Sequence, residues 1–192
     1  MTWYSFFLFV HITAAIVWLG GGLTTSILGA RISRTDDAGR MAGFAHDVAW
    51  IGMRVFTPAS LIVLVFGFLL VHQGDWGYDR LWIQLGLVGI VLTALTGMLF
   101  LGPESGRIGA LIDREGGGSQ AVRSRIARIL FVSRIDLGVI FAVAADMALK
   151  PDSGDVGALV LIAAIPVLAG ITAVALYRGD TRASAGGPVA AN

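Results

Sequence analysis

The sequence predicts an all-α membrane protein, a polytopic helix bundle with five transmembrane helices. Of its 192 residues, 56% are hydrophobic and only 14% are charged, whereas a soluble domain carries roughly 25% charged residues. Five apolar stretches are each about 20 residues long or longer, which is enough to cross the hydrocarbon core of a bilayer. Composition and segment length therefore both indicate that the protein is embedded in the lipid bilayer.

The predicted spans lie within a single domain of residues 1–182 and cover residues 4–30, 49–72, 81–101, 129–150 and 156–177. The first stretch is too long for a signal-peptide core and has no basic residue before it, so we expect a retained helix. The fifth stretch contains no charged side chain, and we expect it to pack beside a core of the first four helices. Residues 120–128 could extend the fourth helix, and residues 183–192 are expected to be a disordered tail.

The distribution of basic residues predicts the orientation in the membrane. Short connections on one side, together with the tail, carry Arg31, Arg34, Arg40, Arg107, Arg114, Arg123, Arg125, Arg128, Arg178 and Arg182. Only Arg80 and Lys150 lie on the other side, among several aspartates. Because cytoplasmic loops are enriched in Lys and Arg, the N-terminus is predicted outside and the C-terminus in the cytoplasm.

Charge and cysteine content exclude several classes of site. A net charge of +1 provides no clustered basic face for nucleic acid. The absence of cysteine excludes disulfides, thiolate metal sites, iron–sulfur clusters and a cysteine nucleophile. The remaining candidates are polar groups inside the spans, because such groups are costly in lipid and face the bundle interior or a cavity.

His11 is the first of these candidates. It lies about 10 Å from the outer end of the first span and shares a helix face with Ala15, Trp18 and Gly22. Small residues on that face allow a flat ligand or another helix to approach closely, and Trp18 offers an aromatic wall. His11 could be a haem or metal ligand, or a neutral histidine hydrogen-bonded to a neighbouring helix. His72, at the outer end of the second span, could be a second metal ligand on the same side, as in copper handling, or an interfacial histidine.

Charged residues in the second and fourth spans allow a structural or a ligand role. Asp146 and Lys150 are four residues apart on a helix and can form an ion pair. Arg54 could pair with Asp136 across two helices and lock them together. Alternatively, Arg54 and Arg134 could bind the carboxylates or phosphates of a porphyrin or lipid.

Short motifs resemble a known bacterial superfamily. The runs Phe9-Val10-His11-Ile12 and Trp18-Leu19-Gly20-Gly21 resemble its opening helix, and Arg54 with Thr57-Pro58-Ala59 resembles its second. Arg134-Ile135-Asp136, closing with Met147, Lys150 and Pro151, resembles its fourth. The superfamily includes the CopD copper-resistance domain and the HemJ protoporphyrinogen oxidase. The chain is most similar, over about residues 5–151, to the integral membrane proteins of domain of unknown function 2269.

The resemblance implies a small helical bundle in the inner membrane of a bacterium that binds haem b. HemJ-like proteins oxidise protoporphyrinogen IX and pass electrons to the respiratory chain. Carried over, the resemblance makes His11 the axial-ligand candidate and places Arg54, Arg134 and Lys150 at matching helix positions.

Three hypotheses follow for this multi-pass protein. The first is a protein that binds haem b or a porphyrin through His11, Trp18, Arg54 and Arg134. The second is a cofactor-free accessory or structural subunit of a membrane complex, and the third is copper handling through His11 and His72. The expected partners are the lipid bilayer, a porphyrin or another membrane subunit, with a homo-oligomer as a further possibility.

Overall fold

The fold, taken from a computed structural model that describes residues 2–35, 37–116 and 119–185, consists of helices joined by short loops, with no strand in these ranges. Seven α-helices follow one another in the order α1 Trp3–Ile32, α2 Ala38–Ile51, α3 Thr57–Gln73, α4 Leu81–Thr96, α5 Gly102–Glu115, α6 Gln120–Leu149 and α7 Val156–Ala185. Two π-helical turns, Gly52–Phe56 and Gly97–Leu101, join α2 to α3 and α4 to α5 without a break. The predicted all-α class is confirmed.

Local capping fixes where three of the helices begin. The side chains of Thr2, Asp37 and Ser119 accept hydrogen bonds from the backbone N–H groups three residues later, at the starts of α1, α2 and α6. Each cap satisfies one of the N–H groups that a helix start leaves without an intrahelical partner.

The two π-helical turns share a sequence pattern. Residues 52–60 and 97–105 both begin with a glycine–methionine pair, followed after four residues by a proline and two positions later by a serine. In each turn a backbone N–H bonds to the carbonyl five residues earlier, Thr57 to Gly52 and Gly102 to Gly97. A proline within a regular helix loses a hydrogen bond and clashes with the carbonyl four residues before it. The widened turn accommodates that proline, so each long helix continues instead of breaking.

Four helical stretches are long and apolar enough to cross a membrane, namely Trp3–Ile32, Gly39–Gln73, Leu81–Glu115 and Val156–Arg178. The chain is therefore a multi-pass integral membrane protein. Helix α6 has 30 residues, but its apolar part carries Arg134, Asp136 and Asp146. It falls outside this group because of those three charges, so length and hydropathy establish four of the five predicted spans and leave the fourth, residues 129–150, unestablished.

The predicted second and third spans, residues 49–72 and 81–101, are shorter than the helices that contain them. Residues 38–48, predicted to be part of a connection, form most of α2, and residues 102–115 form α5. Hydropathy does not detect these two segments, because their polar and arginine-rich composition lowers the mean hydropathy without preventing helix formation. The predicted extension of the fourth helix through residues 120–128 is confirmed, since α6 begins at Gln120. Helix α7 continues to Ala185, so the first three residues of the expected tail are helical, and residues 186–192 lie outside the described part.

Helices α2 and α5, together with the beginning of α6, form a small hydrophobic core of their own. Met41 of α2, Ile108 and Ile112 of α5, and Val122 of α6 are all buried against one another. A 35-residue continuous helix is about 52 Å long at 1.5 Å per residue, well beyond the roughly 30 Å hydrocarbon core. This core therefore lies at the end of the bundle that carries most of the arginines, opposite the α3–α4 and α6–α7 loops.

Glu104 links α5 to α6 beside this core. Its side chain is 4% exposed, and its carboxylate binds Arg125 at 2.7 Å and Arg107 at 3.4 Å. Both carboxylate oxygens are thus satisfied by guanidinium groups, as a buried charge requires.

We expect Glu104→Gln to lower the free energy of unfolding by roughly 1–3 kcal/mol, because one guanidinium then faces an amide N–H₂ group. The measurement is the thermal denaturation midpoint of the detergent-purified protein. Arg114→Gln is the matched control, since that side chain is exposed on the same helix and is not a partner of Glu104, and we expect its midpoint to match that of the wild type. Equal midpoints for Glu104→Gln and the wild type would contradict this role for Glu104.

Helix α7 packs along α6, where Gly138 allows close approach. A Cβ atom at Gly138 would overlap that of Ala169 and lie 3.3 Å from the Cα of Pro166. Small residues at such contacts let helix backbones approach in lipid, where burial of apolar surface adds no driving force. The remaining substantial packing joins α1 to α3 and α6, and α4 to α6. Helix α7 thus contacts the rest of the bundle mainly through α6, in agreement with the expectation that the last helix packs beside a core formed by the others.

Candidate functional site

A cavity of about 480 Å³ lies between α1, α3, α4 and α6, near the end where α3 and α6 terminate. This volume falls within the range of roughly 300–1,000 Å³ that is typical of small-molecule sites. Its walls are mostly aliphatic and aromatic, and its polar side chains are few: Tyr4, His11, Trp18, Trp76, Tyr78, Trp82, Thr93 and Lys150. The cavity therefore suits an apolar body with a small number of polar contacts.

His11 lies in the cavity wall with one ring nitrogen already bonded. Its Nδ1 is 2.9 Å from the backbone carbonyl of Val63 in α3. Because a carbonyl only accepts, Nδ1 carries the proton and Nε2 keeps its lone pair. In α3, Gly67 makes room for the ring, since a Cβ there would lie 3.4 Å from Cε1 of His11. The imidazole is thus oriented by α3 with one nitrogen left available for a ligand.

The predicted ligand face of α1 is largely the face that lines the cavity. Ala15 and Trp18 line it together with His11, and both pack against a small buried cluster of Ala14, Val63 and Ile90. Gly22, the fourth member of that face, instead lies near Leu137 of α6. The cavity ends before that point.

Lys150 lines the cavity directly after the end of α6. It follows α6 in a left-handed conformation with φ of 47°, a backbone geometry uncommon for residues other than glycine. Its ammonium lies 4.3 Å from the ring centroid of Trp76 and 5.4 Å from that of Trp82. The two indole rings contact each other edge to face at 5.3 Å. A cation this close to aromatic rings is attracted electrostatically by their π-systems.

The structure does not place the two candidate arginines at the cavity. Arg54 lies in the π-helical turn before α3, with its guanidinium 5.9 Å from the ring of Trp50. Arg134 is half-buried in α6. Neither residue lines the cavity, so His11 and Trp18 are the only members of the predicted porphyrin-binding set that do so, in the part of the chain that the structure describes.

The predicted ion pairs are likewise not formed among the described residues. Arg54 contacts Trp50 instead of Asp136, and Lys150 contacts two indoles instead of Asp146. Asp146 is 1% exposed, and neither carboxylate oxygen has a hydrogen-bond partner. One oxygen would lie 3.5 Å from a Cβ at Gly86 of α4. The left-handed turn at Lys150 ends the helix, so its side chain does not follow the helical path that a contact four residues back would need.

His72 is exposed at the end of α3 and does not line the cavity. Within residues 2–35, 37–116 and 119–185, no group of three or more histidine or acidic side chains is arranged to hold a metal ion. The structure therefore does not bring His11 and His72 together as copper ligands.

Trp76, Tyr78 and Trp82 are site residues that the sequence analysis did not single out. Tryptophan and tyrosine are enriched at the membrane–water interface. Three such residues occur within the seven positions 76–82, which indicates that this segment lies at the interface. That enrichment could have indicated the aromatic end of the cavity. The contact with Lys150 joins residues about 70 positions apart, which no local pattern reveals.

Comparison with known proteins identifies a family. The model of the DUF2269 family, described as a predicted integral membrane protein, matches residues 5–151. No curated protein and no solved structure matches the chain. The matched region contains nearly all of α1 and the whole of α2 to α6, and with them every residue that lines the cavity except Tyr4. The chain belongs to the DUF2269 family of predicted integral membrane proteins.

Proposed function

We propose that this protein binds a tetrapyrrole, haem b or a related porphyrin, in the cavity between α1, α3, α4 and α6. The observation that carries the proposal is the state of His11. Its Nδ1 donates to the carbonyl of Val63 at 2.9 Å, and its ring lies in the wall of an apolar cavity of about 480 Å³. Metal-ligating histidines characteristically donate their second ring N–H to a carbonyl or carboxylate in this manner.

The other lining residues fit such a ligand. A tetrapyrrole has a flat apolar body and carboxylate groups at one edge, which matches a cavity with apolar walls and a single lysine. Trp18 provides an aromatic wall on the same helix face as His11. The small residues Gly67 and Gly86 let the side chains of His11 and Met147 pack closely against α3 and α4.

In this proposal the protein residues bind and orient the ligand. His11 would hold the metal of such a group through Nε2, and the carbonyl of Val63 fixes the ring orientation and tautomer. The apolar walls exclude water and lower the local dielectric around the ligand. Haem b, when bound, supplies one-electron redox chemistry, whose potential depends on axial ligation and burial.

The membrane topology belongs to the same proposal. Helix α6 lies against four other helices, α1, α4, α5 and α7, and its 30 residues are about 45 Å long. We propose that it crosses the bilayer as a fifth span, with its charged groups facing neighbouring helices. The arginine distribution supports an external N-terminus and a cytoplasmic C-terminus, and the resemblance to a bacterial superfamily supports residence in the inner membrane of a bacterium.

A hemin titration of the detergent-purified protein tests the binding proposal. We expect a saturable change of the Soret absorbance that reaches its end point at one hemin per chain. Non-saturating absorbance, indistinguishable from hemin in detergent micelles alone, would contradict it. In that event, copurification of a colourless chain with other membrane proteins would favour the accessory-subunit hypothesis.

A further inference from the structure

The cavity has one cationic group, placed where its apolar walls meet the loops at the end of the bundle. Lys150 is the only lysine or arginine among the described residues that line the cavity. Its ammonium lies against the rings of both Trp76 and Trp82, at 4.3 and 5.4 Å from their centroids. The left-handed backbone at Lys150, with φ of 47°, directs this side chain away from the path of α6.

Nearby acidic residues do not neutralise Lys150 in the described part of the chain. Asp146 is buried and has no hydrogen-bond partner. Asp152 and Asp155 accept hydrogen bonds from backbone N–H groups of their own loop, at 2.8 and 3.0 Å. The ammonium is therefore paired with aromatic rings alone, next to an apolar volume large enough for a ligand.

We propose that Lys150, positioned by Trp76 and Trp82, binds a carboxylate of an amphiphilic ligand whose apolar body fills the cavity. The inference rests on the proposed function, which it deepens by assigning the residue that recognises the acidic edge of the ligand. A single ammonium matches one carboxylate oxygen pair, whereas phosphate sites commonly combine several donors or a bidentate arginine. The interaction strengthens at this position because the adjoining walls have a low dielectric.

Two sources could supply this chemistry, a tetrapyrrole propionate or a fatty acid. Both present a carboxylate on an apolar body, and both have neutral methyl esters of nearly the same shape. Comparing each acid with its ester isolates the contribution of the charge. The probes are mesoporphyrin IX and its dimethyl ester, and a fluorescent long-chain fatty acid and its methyl ester.

The experiment measures the dissociation constants of these probes for the full chain in non-ionic detergent. We expect Lys150→Met to weaken mesoporphyrin IX binding by about tenfold or more and to leave binding of the dimethyl ester unchanged. Lys150→Arg keeps the charge and should retain most of the affinity. Arg114→Gln is the matched control, because it also removes an exposed cation but one that does not line the cavity, and we expect it to bind both probes with wild-type affinity.

Several outcomes overturn or separate the two proposals. Unchanged affinity of Lys150→Met for the acid overturns the carboxylate site, and so does an equal loss for acid and ester, since that indicates a change of cavity shape. If the wild type binds no tetrapyrrole but binds the fatty acid through Lys150, the tetrapyrrole proposal fails and the carboxylate site stands. Failure to bind either acid overturns both.

Discussion

Substituting His11 by alanine is expected to abolish the Soret change that hemin produces with the wild-type protein, or to weaken hemin binding by at least about 100-fold. Loss of a group that only orients a metal ligand already costs about 10–100-fold in affinity, so loss of the axial ligand should cost more. The imidazole is half-buried and lies against Val63 and Gly67 of α3. Its removal leaves a small space in the cavity wall without changing the helix backbone.

His72→Ala is the matched control for this prediction. His72 is another histidine near the same end of the bundle, but its side chain is exposed and does not line the cavity. We expect this variant to bind hemin with wild-type affinity. Equal binding by His11→Ala and the wild type would refute the assigned role of His11. Equal losses in both variants would indicate that hemin binds elsewhere on the protein surface.

Substituting Gly138 by leucine is expected to separate α7 from α6 and to destabilise the protein by about 3 kcal/mol or more. Overpacking a close contact typically costs about 1–3 kcal/mol, and here even a Cβ would overlap Ala169 and press on the backbone at Pro166. The Cα of Pro166 is a backbone atom, so it cannot move aside as the end of a flexible side chain can. The measurement is the thermal denaturation midpoint in detergent. We expect the midpoint of Gly138→Ala to lie between those of Gly138→Leu and the wild type.

Gly170→Leu provides the control on α7, because a Cβ at that position would meet no atom within 4 Å. We expect its denaturation midpoint to match that of the wild type. A wild-type midpoint for Gly138→Leu would show that α7 does not pack on α6 in the way described.

The helical elements were largely predictable, because 20-residue apolar stretches have few alternatives in a membrane. The starts of α1 near Trp3, α4 at Leu81 and α7 at Val156 agree with the predicted spans to within one residue. The ends of the long helices were not predictable from hydropathy. Helices α2 and α5 continue beyond the apolar stretch as amphipathic segments that bury Met41 and Ile108 against each other, and their polar faces lower the mean hydropathy.

The candidate site was predictable only in its first helix. The spacing of His11, Ala15 and Trp18 lies within one helix, and the structure places all three along the cavity. Contacts between helices were not accessible to such reasoning. Pairing Arg54 with Asp136 assumed a relative rotation and depth of two helices that the sequence does not specify. Pairing Asp146 with Lys150 assumed that α6 continues through Lys150, whereas it ends at Leu149.

The central claim is that the cavity beside His11 holds a haem or porphyrin, and a visible absorption spectrum tests it most directly. The protein would be purified in non-ionic detergent and measured oxidised and dithionite-reduced, before and after addition of hemin and removal of the excess. The account predicts a Soret band that stays with the protein and shifts on reduction. A spectrum without a Soret band in both redox states, before and after hemin addition, would contradict it.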